Sequence, residues 1–203
     1  MMRRFEGQRL LVATHNAGKL DEMRALLAPY GVEVVGAAEM KLSEPVETED
    51  SFVGNARIKA RAAMAATGLP ALADDSGISV DALDGAPGVY TADWAETGSG
   101  RDFGMAMQRT WDALEERDAP HPRHAQFRCT LVLAWPDGRE EVFEGVLPGQ
   151  VVWPPRGAEG HGYDPIFMPD GKDRTLGELT PDEKNALSHR AIAVQKMLQA
   201  CFA

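Results

Sequence analysis

The sequence lacks the features of several protein classes. It has two cysteines in 203 residues, Cys129 and Cys201, and no paired cysteine motif, which excludes a disulfide framework and favours a reducing compartment. No uninterrupted apolar stretch is long enough to cross a bilayer. The start of the chain is basic but lacks the apolar region of a signal peptide. We therefore expect a cytoplasmic protein with no membrane partner.

An excess of positive charge is also missing. The chain carries 21 Lys and Arg against 31 Asp and Glu, a formal net charge of −10. This balance argues against a nucleic-acid partner, because an extended nucleic-acid surface depends on many basic contacts. A small phosphorylated ligand is still compatible, since a few lysines focused in a cleft can bind an anion despite an acidic exterior.

The order of the predicted elements indicates an α/β fold. Strand and helix patterns alternate early, and a hairpin with its turn at 136–138 follows later, which is typical of a mixed sheet in one domain or in two lobes that share the sheet. The predicted strands are 9–13, 32–35, 70–73, 127–135 and 141–147. The predicted helices are 19–28, 51–66, 101–117 and one that closes the chain at about 199.

The turn after the first strand is a candidate phosphate site. It consists of Thr14, His15, Asn16, Ala17, Gly18 and Lys19. A strand–turn–helix presents backbone N–H groups at a helix N-terminus, where phosphate binds readily, and Lys19 adds a positive charge. The spacing is not the Walker pattern. The alternative is an ordinary turn made by Asn16 and Gly18.

Two adjacent carboxylates, Asp74 and Asp75, are predicted at the exit of the short strand 70–73. Adjacent carboxylates repel each other, so a fold that holds them together usually supplies a cation. Successive strand residues point to opposite faces, which predicts different roles. One would bind Mg²⁺ or act as a base, and the other would fix a backbone group or a lysine. The alternative is a solvated turn before Ser76 and Gly77.

The acidic loop at 44–50 precedes a helix with two polar residues on one face. Asn55 and Lys59 are four residues apart and therefore share that face. One of the loop glutamates could complete a metal site with Asp75. The alternative is an exposed polar stripe below a solvated loop.

Two further groups lie near the end of the chain. The loop around His161 and Tyr163 places rings beside flexible glycines, where a planar ligand could stack. On one straight helix, Lys184 and His189 would point about 140° apart, and Lys184 and Arg190 about 120° apart the other way. We therefore predict a helix break at 185–188, with Ser188 capping a new segment.

These motifs, in this order, resemble the inosine/xanthosine triphosphate pyrophosphatase family. The matching segments are residues 13–19, 51–52, 55–56, 59–60, 73–77, 85–88, 162–167, 183–184 and 188–190. The resemblance implies an Mg²⁺-dependent enzyme that hydrolyses ITP, dITP or XTP to the monophosphate and pyrophosphate and so cleanses the nucleotide pool. It also implies a homodimer and one two-lobed domain over residues 1–203. In that domain a long mixed sheet would have helices on both sides and the lobes would enclose a cleft.

The resemblance also implies roles for particular residues. Asp75 would be the general base and a metal carboxylate, and Glu47 the second metal carboxylate, with Glu49 as the alternative. Lys19 would act in catalysis, within the phosphate-binding turn at 14–19. The other substrate contacts would be Asn55, Lys59, Ser76, His161, Gly162, Tyr163, Asp164, Lys184, His189 and Arg190, of which Lys59 and Lys184 would contact phosphates.

Two positions depart from the family pattern. The family commonly has phenylalanine where this chain has His161, and imidazole stacks more weakly. It commonly has glutamate where this chain has Gly54, which removes a negative charge and lowers helix propensity.

Three other functions compete with this one. The first is a related pyrophosphatase for pyrimidine or modified nucleotides. The second is a signalling receiver domain, which needs an aspartate at a central strand end and a later Thr/Ser–Lys pair that the chain does not show in order. The third is a nucleotide-binding module without catalysis.

Overall fold

The computed structural model describes residues 3–202, and its elements alternate as the sequence predicts. The strands are β1 (Arg9–Val12), β2 (Glu33–Gly36), β3 (Ala71–Val80), β4 (Glu96–Thr97), β5 (Gly100–Arg101), β6 (His124–Ala134), β7 (Glu140–Val151) and β8 (Phe167–Pro169). The α-helices are α1 (Ala17–Leu27), α2 (Phe52–Thr67), α3 (Phe103–Glu116), α4 (Pro181–Asn185) and α5 (His189–Met197).

Within the described residues, six strands form one sheet in the order β2-β1-β3-β6-β7-β8. Strand β1 pairs in parallel with β2 (Leu10 opposite Val34) and with β3 (Leu11 opposite Ala71). Strand β7 pairs antiparallel with β8, and β4 and β5 form a separate antiparallel pair. The sheet is therefore mixed, and the predicted α/β class is confirmed.

Local signals in the sequence set the ends of the helices. The Ser51 hydroxyl accepts a hydrogen bond from Gly54 N–H at 3.2 Å and starts α2, and Gly68 ends it in the left-handed conformation at φ 69°. The predicted break is confirmed, because α4 ends at Asn185 and α5 begins at His189. Ser188 Oγ accepts from Ala191 N–H at 3.1 Å and caps the new segment.

The prediction of a short strand that ends before the aspartates was wrong. Strand β3 continues through Asp74 and Asp75 to Val80. Ile78 and Val80 are fully buried, so apolar burial stabilises this part of the strand. The polar residues just before them gave no sign of it in the sequence. The closing helix was predicted to end at about residue 199; α5 ends at Met197 and the chain continues as a π-helical turn, Leu198–Phe202.

The described chain folds into two compact units. The first comprises residues 3–75, 130–144 and 193–202, and the second comprises 76–129 and 145–192. In the first, Ala56, Ala60 and Ala63 of α2 pack on Leu11, Ala71, Ala73, Val132 and Ala134. Small side chains on both partners let the helix approach the strands closely.

The core of the second unit is richer in large side chains. Its fully buried members include Ile78, Leu114, Tyr163, Ile166 and Phe167. Among residues 3–202, no helix combines the length and the apolar character that a membrane span requires.

Candidate functional site

The turn between β1 and α1 is held by its own side chains. Asn16 Oδ1 accepts from Lys19 N–H at 3.1 Å and caps α1, and Thr14 Oγ1 accepts from Asn16 N–H at 3.2 Å. The His15 ring nitrogen Nε2 lies 2.9 Å from the Leu42 carbonyl oxygen. The turn therefore leads into a helix N-terminus, as the sequence predicted, but α1 begins at Ala17, two residues earlier than expected, and Asn16 caps it.

The side chain of Lys19, in the first turn of α1, forms an ion pair with Asp74 of β3. Its Nζ lies 2.8 Å from Asp74 Oδ2, and both side chains are partly buried. Sequence reasoning expected one of the two aspartates to fix a lysine, but it did not place Asp74 among the site residues. The 55 residues between the two partners explain why no local signal identified the pair.

Lys59 of α2 lies among three carboxylates. Its Nζ is 2.6 Å from Glu47 Oε1, and only 12% of its side chain is exposed. Burial lowers the pKa of Lys59, but the hydrogen bond to Glu47 and the charges of Asp74, Asp75 and Glu47 outweigh it and raise this pKa above its ordinary value. Lys59 is therefore a charged, buried lysine, which excludes the alternative of an exposed stripe.

These contacts define a lysine–carboxylate cluster of five residues in the first unit: Lys19, Glu47, Lys59, Asp74 and Asp75. Two positive and three negative side chains make it, and Asp75 is only 8% exposed. Asn55 lies one helical turn before Lys59 and is 2% exposed, with its Oδ1 accepting from Glu49 N–H at 3.0 Å. Lys19 contacts Asp74, and the charges of Asp74 and Asp75 both act on Lys59, so the structure brings these side chains into one cluster.

The donor set of this cluster suits Mg²⁺. Within residues 3–202, no group of three or more His, Cys, Asp or Glu side chains is arranged to hold a metal ion by itself. Mg²⁺ does not require such a group, because it usually binds through one or two carboxylates together with substrate phosphates and waters. Glu47 already holds a cationic group, the ammonium of Lys59, at 2.6 Å. A carboxylate of this cluster can therefore hold a cation, as Glu47 does with the Lys59 ammonium.

A small cavity adjoins the cluster in the first unit. It has a volume of about 140 Å³ and is lined by Lys59, His15, Glu44 and the apolar side chains Ala13, Ala37, Leu42, Pro45, Ala62, Ala63 and Ala66, with Ser43. It is larger than several water molecules, each of which takes about 30 Å³ in the liquid. The cavity therefore has room for a phosphate-sized group beside Lys59.

In the second unit, Asp164 organises the loop at 160–164. Asp164 is 2% exposed, and its Oδ2 accepts from His161 N–H at 2.7 Å and from the Nζ of Lys184 in α4. Gly160 has φ 80°, and a Cβ there would run into the Asp164 carboxylate. The loop thus requires Gly160, and its shape depends on the ion pair between Asp164 and Lys184.

Tyr163 belongs to the core of the second unit. Its ring packs edge-on against Phe103, and its hydroxyl donates to the Thr91 carbonyl at 3.1 Å. Burial raises the pKa of Tyr163 to about 12. Its ring is thus fixed by packing, whereas His161 is exposed and Gly162 is half-buried.

His189, at the start of α5, lies on an aromatic platform. Its ring stacks on Phe127 with centroids 5.1 Å apart and an angle of 14° between the planes. The helix break before it gives His189 and Arg190 a direction separate from that of Lys184 in α4. Phe127 was predicted only as a strand residue, and its contact with His189 could not be inferred from their distant positions in the chain.

Ser76 follows Asp75 in β3 and is half-buried.

Comparison with known proteins assigns the chain to a family. The family model described as "Ham1 family" matches residues 10–200. The chain belongs to the Ham1 family. This Ham1-family chain is 71% identical over 202 residues to a protein of Ruegeria pomeroyi named dITP/XTP pyrophosphatase, with 100% of this chain and 99% of that protein covered. The resemblance to the inosine/xanthosine triphosphate pyrophosphatases is therefore confirmed.

Solved structures of Ham1 proteins share the fold. A HAM1 protein from Coxiella burnetii superposes with a TM-score of 0.90 at 38% identity, covering 95% of this chain and 98% of that one. A protein of Mycobacterium abscessus described as a nucleoside-triphosphatase and dITP/XTP pyrophosphatase superposes with a TM-score of 0.81 at 43% identity, covering 94% and 98%. The Ham1 fold thus extends over nearly the whole chain.

Proposed function

We propose that this Ham1-family protein hydrolyses the non-standard purine nucleoside triphosphates ITP, dITP and XTP to the monophosphate and pyrophosphate, and so clears them from the nucleotide pool. Relatives that match the full chain carry the name dITP/XTP pyrophosphatase. The lysine–carboxylate cluster is the observation that carries the chemical part of the proposal, because it joins phosphate-binding cations to carboxylates in one place.

The phosphates bind to lysines and backbone groups of this cluster and its neighbourhood. Lys19 and Lys59 supply positive charge, and the N–H groups at the start of α1, other than that of Lys19, which donates to Asn16, are available to donate to a phosphate. Lys184 is a further phosphate contact by family resemblance. The three carboxylates outnumber the two lysines, so a polyphosphate needs an added cation to bind here.

We assign that cation as Mg²⁺, held by Glu47 and Asp75. When bound, Mg²⁺ offsets charge on the phosphate oxygens and makes a nearby water more acidic. Glu47 matches the family position, and its carboxylate faces Lys59 within the cluster. Glu49, whose backbone N–H donates to Asn55 Oδ1, is the alternative second carboxylate.

Asp75 acts on the attacking water. Its buried carboxylate orients the water toward the α-phosphorus and accepts its proton as the phosphoanhydride bond breaks. The α–β bond is the one cleaved, so the products are a nucleoside monophosphate and pyrophosphate.

The residues of the second unit select the base. Donors from His189 and Arg190 favour an acceptor oxygen at position 6 of the purine. Adenine presents an amino group there, and a buried donor that faces another donor loses its hydrogen bond, at a cost of about 1–3 kcal/mol. The stack on Phe127 restrains the plane of the His189 ring.

A nucleotide panel tests the proposal. ITP, dITP, XTP, GTP, ATP, CTP and UTP are incubated with the protein and Mg²⁺, and pyrophosphate and orthophosphate are measured separately. We expect pyrophosphate from the first three nucleotides. Equal turnover of ATP and ITP would refute the model of base selection, release of orthophosphate would refute the bond assignment, and binding without turnover would identify a binding module.

We further propose a homodimer located in the cytoplasm. Family resemblance supports the dimer, and the low cysteine content supports the location. Light scattering on the purified protein tests the first, since a mass near 22.0 kDa would identify a monomer. Fractionation of the native cells tests the second.

A further inference from the structure

Gly54, which replaces the common family glutamate, lies in direct contact with the acidic loop. A Cβ built on Gly54 would lie 2.6 Å from Cβ and 2.8 Å from Cγ of Glu49, closer than real Cβ contacts come. It would also lie 2.9 Å from Ser51 Oγ, the end of a side chain that can shift slightly while it still accepts from Gly54 N–H. The first part of the Glu49 side chain thus occupies the space that any larger residue at position 54 would need.

The same loop residue is held at its backbone. Asn55 is 2% exposed, and its Oδ1 accepts from Glu49 N–H at 3.0 Å. Neighbouring residues of α2 therefore fix Glu49 twice, at its amide and at its Cβ.

Fixing Glu49 has a consequence for the lysine–carboxylate cluster. Glu47 is two residues earlier in the same loop, and its carboxylate reaches Lys59 Nζ at 2.6 Å. Lys59 is one helical turn after Asn55 on the same face of α2. Helix α2 thus contacts both ends of the segment 47–49: Asn55 binds Glu49, and Lys59 binds Glu47.

We propose that Gly54 and Glu49 form a positioning contact that sets Glu47 against Lys59. Glu49 is then a positioning residue, and Glu47 is the loop carboxylate that serves the reaction. This inference rests on the proposed function and adds to it a reason why this chain combines glycine at 54 with glutamate at 49.

The contact can be tested by adding one methyl group. Gly54→Ala places a Cβ where Glu49 Cβ already lies, and rotation of the Glu49 side chain cannot relieve this overlap because Cβ is fixed by the backbone. Glu49→Ala keeps that Cβ and Glu49→Gly removes it. Gly54→Ala is therefore made in three backgrounds, with Glu, Ala or Gly at position 49. Gly104→Ala near the start of α3 is the control, since a Cβ there meets only Asp102 Oδ1, at 3.1 Å.

Two measurements are made on each variant. Hydrogen exchange of the amides at 44–51 is followed without nucleotide or metal, and kcat and KM for ITP are measured with Mg²⁺. With Glu or Ala at position 49, we expect Gly54→Ala to speed exchange and to lower kcat at least ~10-fold, since misplacing a reacting group by about 1 Å can cost about 100-fold. With Gly at position 49, the same change should alter neither the exchange rate nor kcat by more than about twofold. Substitutions at independent sites add to within about this factor.

Several outcomes would overturn the inference. One is Gly54→Ala without effect next to Glu49, and another is an equal loss when position 49 is glycine. Faster exchange with unchanged kcat and KM would also overturn it, since the contact would then shape the loop without serving the reaction. If the wild-type protein releases no pyrophosphate, the proposed function fails, and the exchange data still decide whether the contact exists.

Discussion

Removal of the Lys184 ammonium should destabilise the protein strongly. Its partner Asp164 is 2% exposed and also accepts from His161 N–H. Loss of one member of a buried ion pair leaves an uncompensated charge and costs about 3–5 kcal/mol. The Lys184 side chain is 23% exposed, so water can partly replace the ammonium, and we expect the lower end, about 3 kcal/mol, for Lys184→Met.

Thermal unfolding at pH 7 measures this loss. One kcal/mol shifts Tm by about 2–4 °C in a protein of this size, so Lys184→Met should lower Tm by about 6–12 °C. Lys172→Met is the matched control, because Lys172 is exposed in the same unit and surface changes stay within about 0.5 kcal/mol. The double variant Lys184→Met/Asp164→Asn removes both charges and keeps an acceptor oxygen for His161, so it should melt above the single variant.

The two roles of Lys184 can then be separated. If Lys184 only bound phosphate, its removal would raise KM and leave Tm near that of the wild type. A Tm within 1–2 °C of the Lys172→Met control would refute the argument from burial, about half a kcal/mol being the spread expected of surface changes. A double variant no more stable than Lys184→Met would refute the assignment of the loss to the unpaired carboxylate.

Three further changes test the site and its supports. Asp75→Asn should retain the fold and lose at least ~100-fold in kcat for ITP, the range for loss of a general base, and near-normal turnover would exclude that role. The hydrogen bond to Arg174 and that from a backbone N–H lower the pKa of Glu183 to about 2, so its contribution to stability is complete above pH 4.5 and is lost as the pH falls toward 2. The urea midpoint of Glu183→Gln should therefore lie below that of the wild type at pH 7 and approach it near pH 2, and a constant difference would contradict this. Tyr163→Phe removes the hydrogen bond to Thr91 and should cost about 1 kcal/mol in urea unfolding, whereas an unchanged midpoint would show that this bond contributes nothing.

The sequence predicted features whose causes are local. The cap at Ser51, the stop at Gly68 and the break before Ser188 each depend on residues within four positions of one another. The angular argument on Lys184 and His189 needed only the helical repeat. Such local interactions depend little on the rest of the fold, so they could be predicted without it.

Interactions between residues far apart in the chain could not be predicted from the sequence. The pairing of Lys19 with Asp74 and of Lys184 with Asp164 joins residues 55 and 20 positions apart. The end of β3 was misjudged for a related reason. Two aspartates in succession usually end a strand in water, but here Asp74 gains an ammonium partner from Lys19, and burial of Ile78 and Val80 extends the pairing.

If the proposed function holds, the cluster gives a physical reason for a cation and a triphosphate to bind together. In the described structure Lys19 is engaged by Asp74 and Lys59 by Glu47, so a phosphate must compete with carboxylates for both ammonium groups. A cation that takes up the carboxylates lowers their hold on the lysines and leaves more of the positive charge for phosphate. By linkage, a triphosphate must then raise the affinity for the cation by the same factor as the cation raises the affinity for the triphosphate. The pairing of each lysine with a carboxylate thus favours binding of the two partners together over binding of either one alone.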